Sequence, residues 1–324
     1  MDGELFEIYK RNFPFNIRKK DTVLGILNHE DNIVLERRDE KQRLIGVSVV
    51  NQNAVLLLCV DEEHRNQGIG AELLEESEQL IKEHGYSRVV VGAGFDYLMP
   101  GVPTSRRYVQ AENEELYENI GEFAGNFFEK RGYIHSWECN CFDMRVSFSG
   151  QEKGRISSMA GAEPKYGQIQ DGYRVGDVIS GVTYRWAKLE DLSEICRCTE
   201  DAFPDFTEYY RNEGLYRGSS DEKVLIAVVR DEVVGTLIVG IEDGDKQIGS
   251  VGCTTVKCAW QGRHIAVNLV SIGTKHLKDM GMREAFLGYT YTGLDHLYGY
   301  AGYKICVYYM MAEKILGTPG DHER

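Results

Sequence analysis

The chain has 324 residues and a formal net charge of −14 at pH 7, with 42% hydrophobic and 10% aromatic residues. This length suits two domains. The acidic excess disfavours nucleic acid and anionic membranes as partners, and it is compatible with a cationic substrate such as an amine. No apolar run approaches the roughly 18 residues that span a bilayer, and the charged N-terminus lacks the pattern of a signal peptide. We therefore expect a cytoplasmic protein whose eight cysteines are reduced thiols, with no metal site.

In the first half of the chain, periodicity predicts two helices followed by an α/β unit. Leu5, Ile8 and Tyr9 recur at helical spacing, and the apolar or alternating segments further on are typical of strands. The strand at 54–60 is apolar enough to be buried on both faces. The predicted elements are helices at 3–13, 17–28, 71–84 and 111–131, strands at 32–36, 44–50, 54–60 and 88–92, and a terminal strand or hairpin at 137–148.

Residues 149–178 are rich in Gly, Ser, Gln and Lys, a composition that predicts a linker, part of which could add a strand to either domain. The predicted domains are 1–148 and 182–324, separated by a linker at 149–181. The second half is predicted to contain helices at 189–203 and 267–280 and strands at 184–186, 224–230, 233–241, 249–256, 285–289 and 305–312.

A glycine loop, RNQGIGA at 65–71, joins the predicted strand at 54–60 to the helix that follows. The free N–H groups in the first turn of a helix and the helix dipole together favour an anion such as a phosphate. Gly68 and Gly70 allow a ligand to approach the backbone with no Cβ in the way. The expected phosphate-binding residues are Arg65, Asn66, Gln67, Gly68, Ile69, Gly70 and Ala71.

The second half repeats the spacing of the first. An interval of 17 positions separates Gly68 from Gly85, and the same interval separates His264 from Gly281. The next glycine follows after 7 positions in both halves. The halves then diverge, because the first carries an insertion that includes MPGVP at 99–103. Internal repeats of this kind predict two copies of one fold.

Two motifs resemble those of the GNAT superfamily of acyl-CoA-dependent N-acyltransferases. The family's phosphate loop, Arg/Gln-x-x-Gly-x-Gly/Ala, matches residues 65–70, and its later signature, an aromatic residue followed by Glu-Lys-x-Gly-Phe/Tyr, matches FEKRGY at 128–133. The resemblance covers roughly residues 1–147 and 183–313, so the chain looks like a tandem GNAT protein. It implies an α/β fold of two consecutive GNAT-like domains, each with a mixed α+β sheet whose fourth and fifth strands splay apart.

The resemblance also implies where acetyl-CoA, the acyl donor, is bound. Its pantetheine arm would pair with the fourth strand around Leu58 and Val60, and its pyrophosphate would meet the amides of the loop, with Arg65 and Arg263 as candidate phosphate contacts. The corresponding candidates in the second half are Val256, Arg263, His264 and Ala266.

The chain departs from the family pattern in three places. No opening strand is evident before residue 32. Phe128 stands where the family often has a Tyr that protonates the thiolate leaving group, whereas the second half has Tyr298 there. His264 replaces the central glycine of the second loop, where a Cβ should crowd the pyrophosphate. The first half therefore has the complete glycine loop, and the second half has the tyrosine at the position of the general acid.

The leading hypothesis is an acetyl-CoA-dependent N-acetyltransferase that acts on a primary amine of a small acceptor. In the alternative, one half is a non-catalytic acyl-CoA-binding or scaffolding domain that supports the other. A dinucleotide-binding oxidoreductase is disfavoured, because the loop lacks a third glycine and no acidic residue ends the strand at 88–92.

The acceptor side is less defined by the sequence. Asp61, Glu62 or Glu63 could act as a base through water, and the same side chains also fit a solvated turn. The insertion at 93–112 and the linker are expected to shape the acceptor pocket. A small amine, an aminoglycoside-like compound, an amino acid and a peptide N-terminus all fit the pattern.

Overall fold

The fold is that of a mixed α/β protein built as two compact units. A computed structural model describes residues 2–13, 20–92, 98–104, 125–136, 140–148, 173–218, 221–242, 247–291 and 293–317. Unit 1 comprises Met1–Cys141 and Val307–Arg324, and unit 2 comprises Phe142–Cys306. The predicted domains at 1–148 and 182–324 are continuous halves of the sequence. In the structure, each unit also includes a strand from the other half. The physical reason is that a strand belongs to the sheet with which it forms hydrogen bonds.

Unit 1 combines helices with a six-stranded mixed sheet. Its helices are α1 (Asp2–Asn12), α2 (Lys20–Leu27), α3 (Ile69–Glu83) and α4 (Gly125–Glu129). The strands of the sheet are β1 (Ile33–Arg38), β2 (Leu44–Asn51), β3 (Ala54–Val60), β4 (Arg88–Val91), β6 (Ile134–His135) and β15 (Ala312–Ile315). A further short strand, β5 (Val102–Thr104), lies outside this sheet and pairs with Tyr308–Met310. The sheet has the order β1-β2-β3-β4-β15-β6. β15 is antiparallel to both β4 and β6, which places the C-terminal strand in this unit.

Most predicted elements of unit 1 are confirmed to within a few residues. α1 and α2 precede the first strand of the described residues, as expected from the lack of an opening strand before residue 32. α3 buries Leu73, Leu74 and Ile81 on one side, and Gly85 after it has a φ of +88°, as its role as a helix stop requires. Of the helix predicted at 111–131, residues 111–124 lie outside the described part of the chain.

Unit 2 is a second mixed sheet with helices. It contains β7 (Cys141–Ser147), β8 (Val178–Ile179), β9 (Val182–Trp186), α5 (Leu192–Ala202), α6 (Thr207–Tyr210), β10 (Glu222–Val229), β11 (Glu232–Ile241), β12 (Ile248–Val256), α7 (Ile265–Asp279), β13 (Glu284–Tyr291), α8 (Asp295–Gly299) and the first residues of β14 (Lys304–Met310). The strand order is β14-β7-β13-β12-β11-β10-β9-β8. The strand predicted at 137–148 therefore belongs, as β7, to unit 2.

The predicted linker at 149–181 contributes a strand at its end, an outcome that its composition left open. β8 lies inside it and pairs with β9, with Val178 opposite Thr183 and Ile179 opposite Val182. The two strands form a hairpin whose turn includes Ser180 and Gly181, both at positive φ. A two-residue turn between strands is a local sequence feature, but the polar composition of this stretch is typical of a linker. Residues 149–172 of the linker lie outside the described residues.

The internal repeat is confirmed in atomic detail. A Cβ on Gly46 of β2 would lie 3.0 Å from Cγ2 of Ile69 and 3.1 Å from Cδ1 of Leu73. A Cβ on Gly235 of β11 would lie at the same two distances from Ile265 and Leu269. Each glycine thus lets the helix after the loop pack closely on the sheet. No helix in the described ranges combines the length and the hydropathy of a membrane span.

Candidate functional site

The loop of unit 1 has the backbone of an anion-binding strand–loop–helix. Gly68 is the N-cap of α3 with a φ of +92°, and Asn66 has a φ of +62°. The Arg65 side chain turns back towards the protein: Nε donates to the Val60 carbonyl at 2.9 Å, and Nη2 donates to Oδ1 of Asn12 at 2.7 Å. Arg65 was predicted to contact a phosphate. In the structure its side chain connects the loop to the end of β3 through the hydrogen bond to Val60.

The loop of unit 2 has the same backbone with its glycine in another place. Gly262 has a φ of +74°, and His264, the N-cap of α7, has a φ of +60°. Histidine is among the non-glycine residues that adopt this left-handed region more often than most. Gln261 Nε2 donates to the Val256 carbonyl at 3.1 Å, which is the bond that Arg65 makes in unit 1. Gln261 was not among the residues predicted from the sequence, although the family pattern accepts Gln at this position.

The two loops differ strongly in charge. Residues 61–72 of unit 1 contain four carboxylates and one arginine, with Glu72 in the first turn of α3. The aligned residues 257–268 contain one lysine, one arginine and no carboxylate. Lys257 is paired with Glu232 at 2.7 Å, and the Arg263 guanidinium lies over the ring of Trp260 at 4.8 Å. The second loop is therefore the better electrostatic match for a diphosphate.

The remaining predicted loop residues lie where the strand–loop–helix pattern placed them. Gln67 is exposed and donates from Nε2 to the Glu63 carbonyl at 3.2 Å. The half-buried candidates are Leu58, Val60, Ile69, Gly70, Ala71 and Ala266, and Val256 is buried.

In both units the strand before the loop pairs with its parallel neighbour only at its start. β3 pairs with β4 at Ala54 and Val55, and β12 pairs with β13 from Ile248 to Ser250. The rest of each strand diverges from that neighbour, as expected for the splayed fourth and fifth strands of the family. This divergence exposes strand backbone to a ligand on one side.

In unit 1 part of this space is taken by the chain itself. The Met99 N–H donates to the Leu56 carbonyl at 3.0 Å, and the described residues of the insertion, 98–104, are buried. A Cβ on Gly92 would lie 2.5 Å from the Cα of Gly101, so the insertion returns tightly against the end of β4. The insertion was expected to shape an acceptor pocket. Of its described residues, Met99 bonds to the open side of β3, and Val102–Thr104 pair antiparallel with Tyr308–Met310. The rest of the insertion lies outside the described residues.

The position of the expected general acid in unit 1 is apolar. Phe128 is buried and contacts the ring of Tyr133 edge-on at 5.3 Å. The ring of the preceding Phe127 lies beside the start of α3. Its atoms would be 3.6 Å from a Cβ built on Gly70. Tyr133 uses its hydroxyl to donate to Glu78 at 2.9 Å, and burial raises its pKa, so it is a packed structural residue.

Unit 2 places a hydroxyl pair at the same position. Tyr298 in α8 is buried, and its Oη lies 3.0 Å from Oγ1 of Thr254 on β12. Burial raises the pKa of Tyr298 to about 12, although its hydrogen bond with Thr254 acts to lower that pKa. A tyrosine in this state is fully protonated at neutral pH. Counting back from each loop, Thr254 aligns with Leu58, so unit 1 lacks both hydroxyls.

β12 carries a bulge immediately before Thr254. Thr236 of β11 faces Thr255, whereas Ile238 faces Gly252, so two residues of β12 oppose Leu237. Cys253 provides the extra residue and has a φ of +52°. A bulge re-aims the side chains and amides next to it and is frequent beside active sites. In β3 the register shift lies earlier, between Val49 and Val50 of the partner strand.

The three candidate bases of unit 1 line an open cleft of about 700 Å³ beside α1. Asp61 accepts from Arg11 at 2.8 Å and from Asn12 at 3.3 Å, so its charge is already compensated. Glu62 and Glu63 are exposed, in agreement with a solvated turn. Lys257 occupies the position of Asp61 in unit 2, which therefore has no equivalent carboxylate there.

Comparison with known proteins agrees with this geometry. Residues 28–135 match the family model of the acetyltransferase (GNAT) domain. No curated protein sequence matches the chain significantly. A solved GCN5-related N-acetyltransferase from Sphaerobacter thermophilus is 17% identical, with a TM-score of 0.59 over 96% of this chain and 91% of that one.

Two further solved structures are similar over nearly the whole chain. A tandem GNAT protein from the clavulanic acid biosynthesis pathway is 14% identical, with a TM-score of 0.63 over 98% of this chain and 95% of that one. A fungal multi-domain GH3 β-N-acetylglucosaminidase with a GCN5-related glucosamine N-acetyltransferase region is 16% identical, with a TM-score of 0.63. The match covers 97% of this chain and only 37% of the fungal protein. At these identities the likeness shows the fold. Residues 28–135 thus resemble a GNAT acetyltransferase domain, and the chain as a whole has a fold similar to that of a tandem GNAT protein.

Proposed function

We propose that the protein is an acetyl-CoA-dependent N-acetyltransferase that acts on a primary amine, and that unit 2 carries out the chemistry. The observation that carries the proposal is the buried pair of Tyr298 and Thr254, 3.0 Å apart, beside the bulge of β12. The family transfers acyl groups, and a hydroxyl at this position can protonate a leaving thiolate.

Unit 2 also has the better donor site. The amides at the start of α7 favour the pyrophosphate, and Arg263 adds a positive charge next to them. No ion pair of Arg263 occurs among the described residues, so its charge is available to a ligand. The diverging part of β12, near Val256, would take the pantetheine arm. His264 carries a Cβ at the N-cap position, where unit 1 has Gly68. A Cβ built on Gly68 has only Glu72 Oε1 within 4 Å, at 3.9 Å, so a side chain at this position does not clash with the protein.

The reaction exchanges one bond for another. The neutral amine attacks the thioester carbonyl, the carbon–nitrogen bond forms, and the carbon–sulfur bond breaks. The nitrogen loses one proton, and the sulfur leaves as a thiolate that takes one proton. Tyr298 is the proposed donor of that proton, and Thr254 orients its hydroxyl. The proton from the amine passes to water, and water returns a proton to the Tyr298 phenolate.

Unit 1 is the less suited of the two to this reaction. It has a good loop backbone, but four carboxylates lie in and next to the loop. Met99 of the insertion bonds to the open side of β3, and Phe128 and Leu58 supply no hydroxyl. In this proposal unit 1 does not catalyse the transfer.

The test is turnover of acetyl-CoA with a panel of primary amines: glucosamine, spermidine, an aminoglycoside and a short peptide. We expect at least one amine to accelerate release of the coenzyme A thiol, followed with a thiol reagent, and mass spectrometry to show the acetylated amine. Calorimetry with acetyl-CoA is expected to give one tight site per chain. The proposal is contradicted if the protein binds acetyl-CoA and no amine of the panel raises thiol release above the rate without protein.

A further inference from the structure

Tyr210 connects a short helix to the reacting strand of unit 2. It is the last residue of α6, its ring is fully buried, and its Oη donates to the Cys253 carbonyl at 2.6 Å. Tyr210 belongs to the apolar core between α5 and the sheet, together with Ile195, Cys198 and Leu215. The carbonyl that it holds is that of the bulge residue.

The bulge needs such support. Cys253 has a φ of +52°, in the left-handed region that a Cβ makes sterically unfavourable for non-glycine residues. Conformations of this kind persist only where the surroundings hold them. The hydrogen bond at 2.6 Å is a direct constraint on the peptide group that follows Cys253.

That peptide group leads into the proposed site. The carbonyl of Cys253 and the N–H of Thr254 lie in one rigid plane, so fixing the first also fixes the direction of the second. The side chain of Thr254 in turn contacts Tyr298 at 3.0 Å. A rotation of this plane would change both the amide direction and the distance between the two hydroxyls.

We propose that Tyr210 is a positioning residue for acyl transfer, because its hydroxyl holds the β12 bulge in the conformation that presents Thr254 and Tyr298 to the thioester. This inference rests on the proposed function of unit 2. Tyr210 touches neither the donor nor the amine in this scheme and acts through Cys253.

The Tyr210 hydroxyl can keep its hydrogen bond to the Cys253 carbonyl over a wide pH range. Burial raises its pKa well above the usual range, so that it remains a proton donor throughout the pH range in which the protein would be assayed. The expected effect of removing it is therefore independent of pH.

The experiment compares Tyr210→Phe with Tyr184→Phe in the full chain. Tyr184 is an equally buried tyrosine of unit 2, and its Oη accepts from Nδ2 of Asn268 at 3.0 Å, away from the bulge. With acetyl-CoA and the best amine of the panel, we expect Tyr210→Phe to lower kcat about 10-fold while KM for acetyl-CoA changes less than twofold. Tyr184→Phe is expected to keep kcat within twofold.

A merely structural role would give another pattern. Equal losses of kcat in both variants, or unchanged kcat in Tyr210→Phe, would overturn the proposal. Amide hydrogen exchange of a peptide covering residues 250–257 provides a second measurement that needs no amine. We expect acetyl-CoA to protect this peptide in the original protein and clearly less in Tyr210→Phe; equal protection would count against the inference. If no amine is acetylated by the original protein, the proposed function fails, while the exchange experiment still decides the role of Tyr210.

Discussion

The two glycine loops of this protein share a backbone and differ in chemistry. Unit 1 places its non-glycine residue first, Asn66 at a φ of +62°, and its glycine second, Gly68 at +92°. Unit 2 reverses the order with Gly262 at +74° and His264 at +60°. Both loops tie their first side chain to the carbonyl at the end of the preceding strand. The backbone can therefore be kept with glycine at either position.

A loop that matches the sequence motif is not necessarily the loop with the better chemical environment for the reaction. The loop that matches the family pattern in full has an acidic environment and apolar residues at the reacting position. The loop with the altered glycine has Arg263 beside it and the Thr254–Tyr298 pair on the adjoining elements. A pattern of glycines reports on backbone conformation, whereas charge and hydroxyl groups decide which reaction a site supports.

The largest expected effect tests the reacting position of each unit. Tyr298→Phe should lower kcat at least about 100-fold, because a positioned general acid contributes roughly 10²–10⁴-fold. The matched change in unit 1, Phe128→Tyr, should leave kcat within twofold. Both are measured as thiol release from acetyl-CoA with saturating amine. A strong loss in Phe128→Tyr together with an active Tyr298→Phe would move the chemistry to unit 1.

A smaller effect is expected from the charge of the loops. Arg263→Glu should raise KM for acetyl-CoA about 10-fold or more, since it replaces a favourable charge next to the pyrophosphate with a repulsive one. Gln67→Glu introduces the same residue at the same position of unit 1 and should change KM less than twofold. The assay is the initial rate as a function of acetyl-CoA concentration. Comparable increases in the two variants would mean that both loops bind the donor used in turnover.

The left-handed N-caps provide a comparison of stability. His264→Gly should raise the free energy of unfolding by about 0.5–1 kcal/mol, because glycine adopts the left-handed region without the steric cost of a Cβ. Gly68→His in unit 1 should lower it by a similar amount. The urea midpoints of the two variants measure both changes. A destabilised His264→Gly would show that the His264 side chain stabilises its loop through contacts of its own.

The smallest expected effect concerns pH. Burial raises the pKa of Tyr298 to about 12, so the acid stays protonated, and activity is lost only as the pH rises through that value. With saturating amine, kcat should therefore change less than twofold between pH 8 and 10. An alkaline decline of kcat within this range, in a protein whose circular dichroism is unchanged, would point to a different acid.

Much of the fold could be predicted from local patterns. The strand–loop–helix units, the helix stops at Gly85 and Gly281 and the internal repeat all depend on short stretches of sequence. Tyr298 was also a candidate acid from the sequence, because the family signature places an aromatic residue four positions before a glycine, and its role stays a prediction. The membership of β7 and β15 could not be predicted, since a strand carries no local signal for the sheet that it joins.

The partners of Tyr298 were missed for a similar reason. Thr254 lies 44 positions from Tyr298, and Tyr210 lies 43 positions from Cys253. Neither pair has a sequence spacing that a helix or a hairpin would explain. The bulge at Cys253 depends on the register between β11 and β12, which is visible only once the strands are paired.

The sequence by itself determined that the protein contains two similar strand–loop–helix units whose loops resemble phosphate-binding loops. Glycine placement and hydrophobic periodicity act over a few residues, so their consequences can be read without the fold. Only the tertiary structure decided which strands complete each unit and which hydroxyls meet beside the bulge. Those outcomes depend on hydrogen bonds between residues far apart in the chain, and such bonds form only after the sheets have assembled.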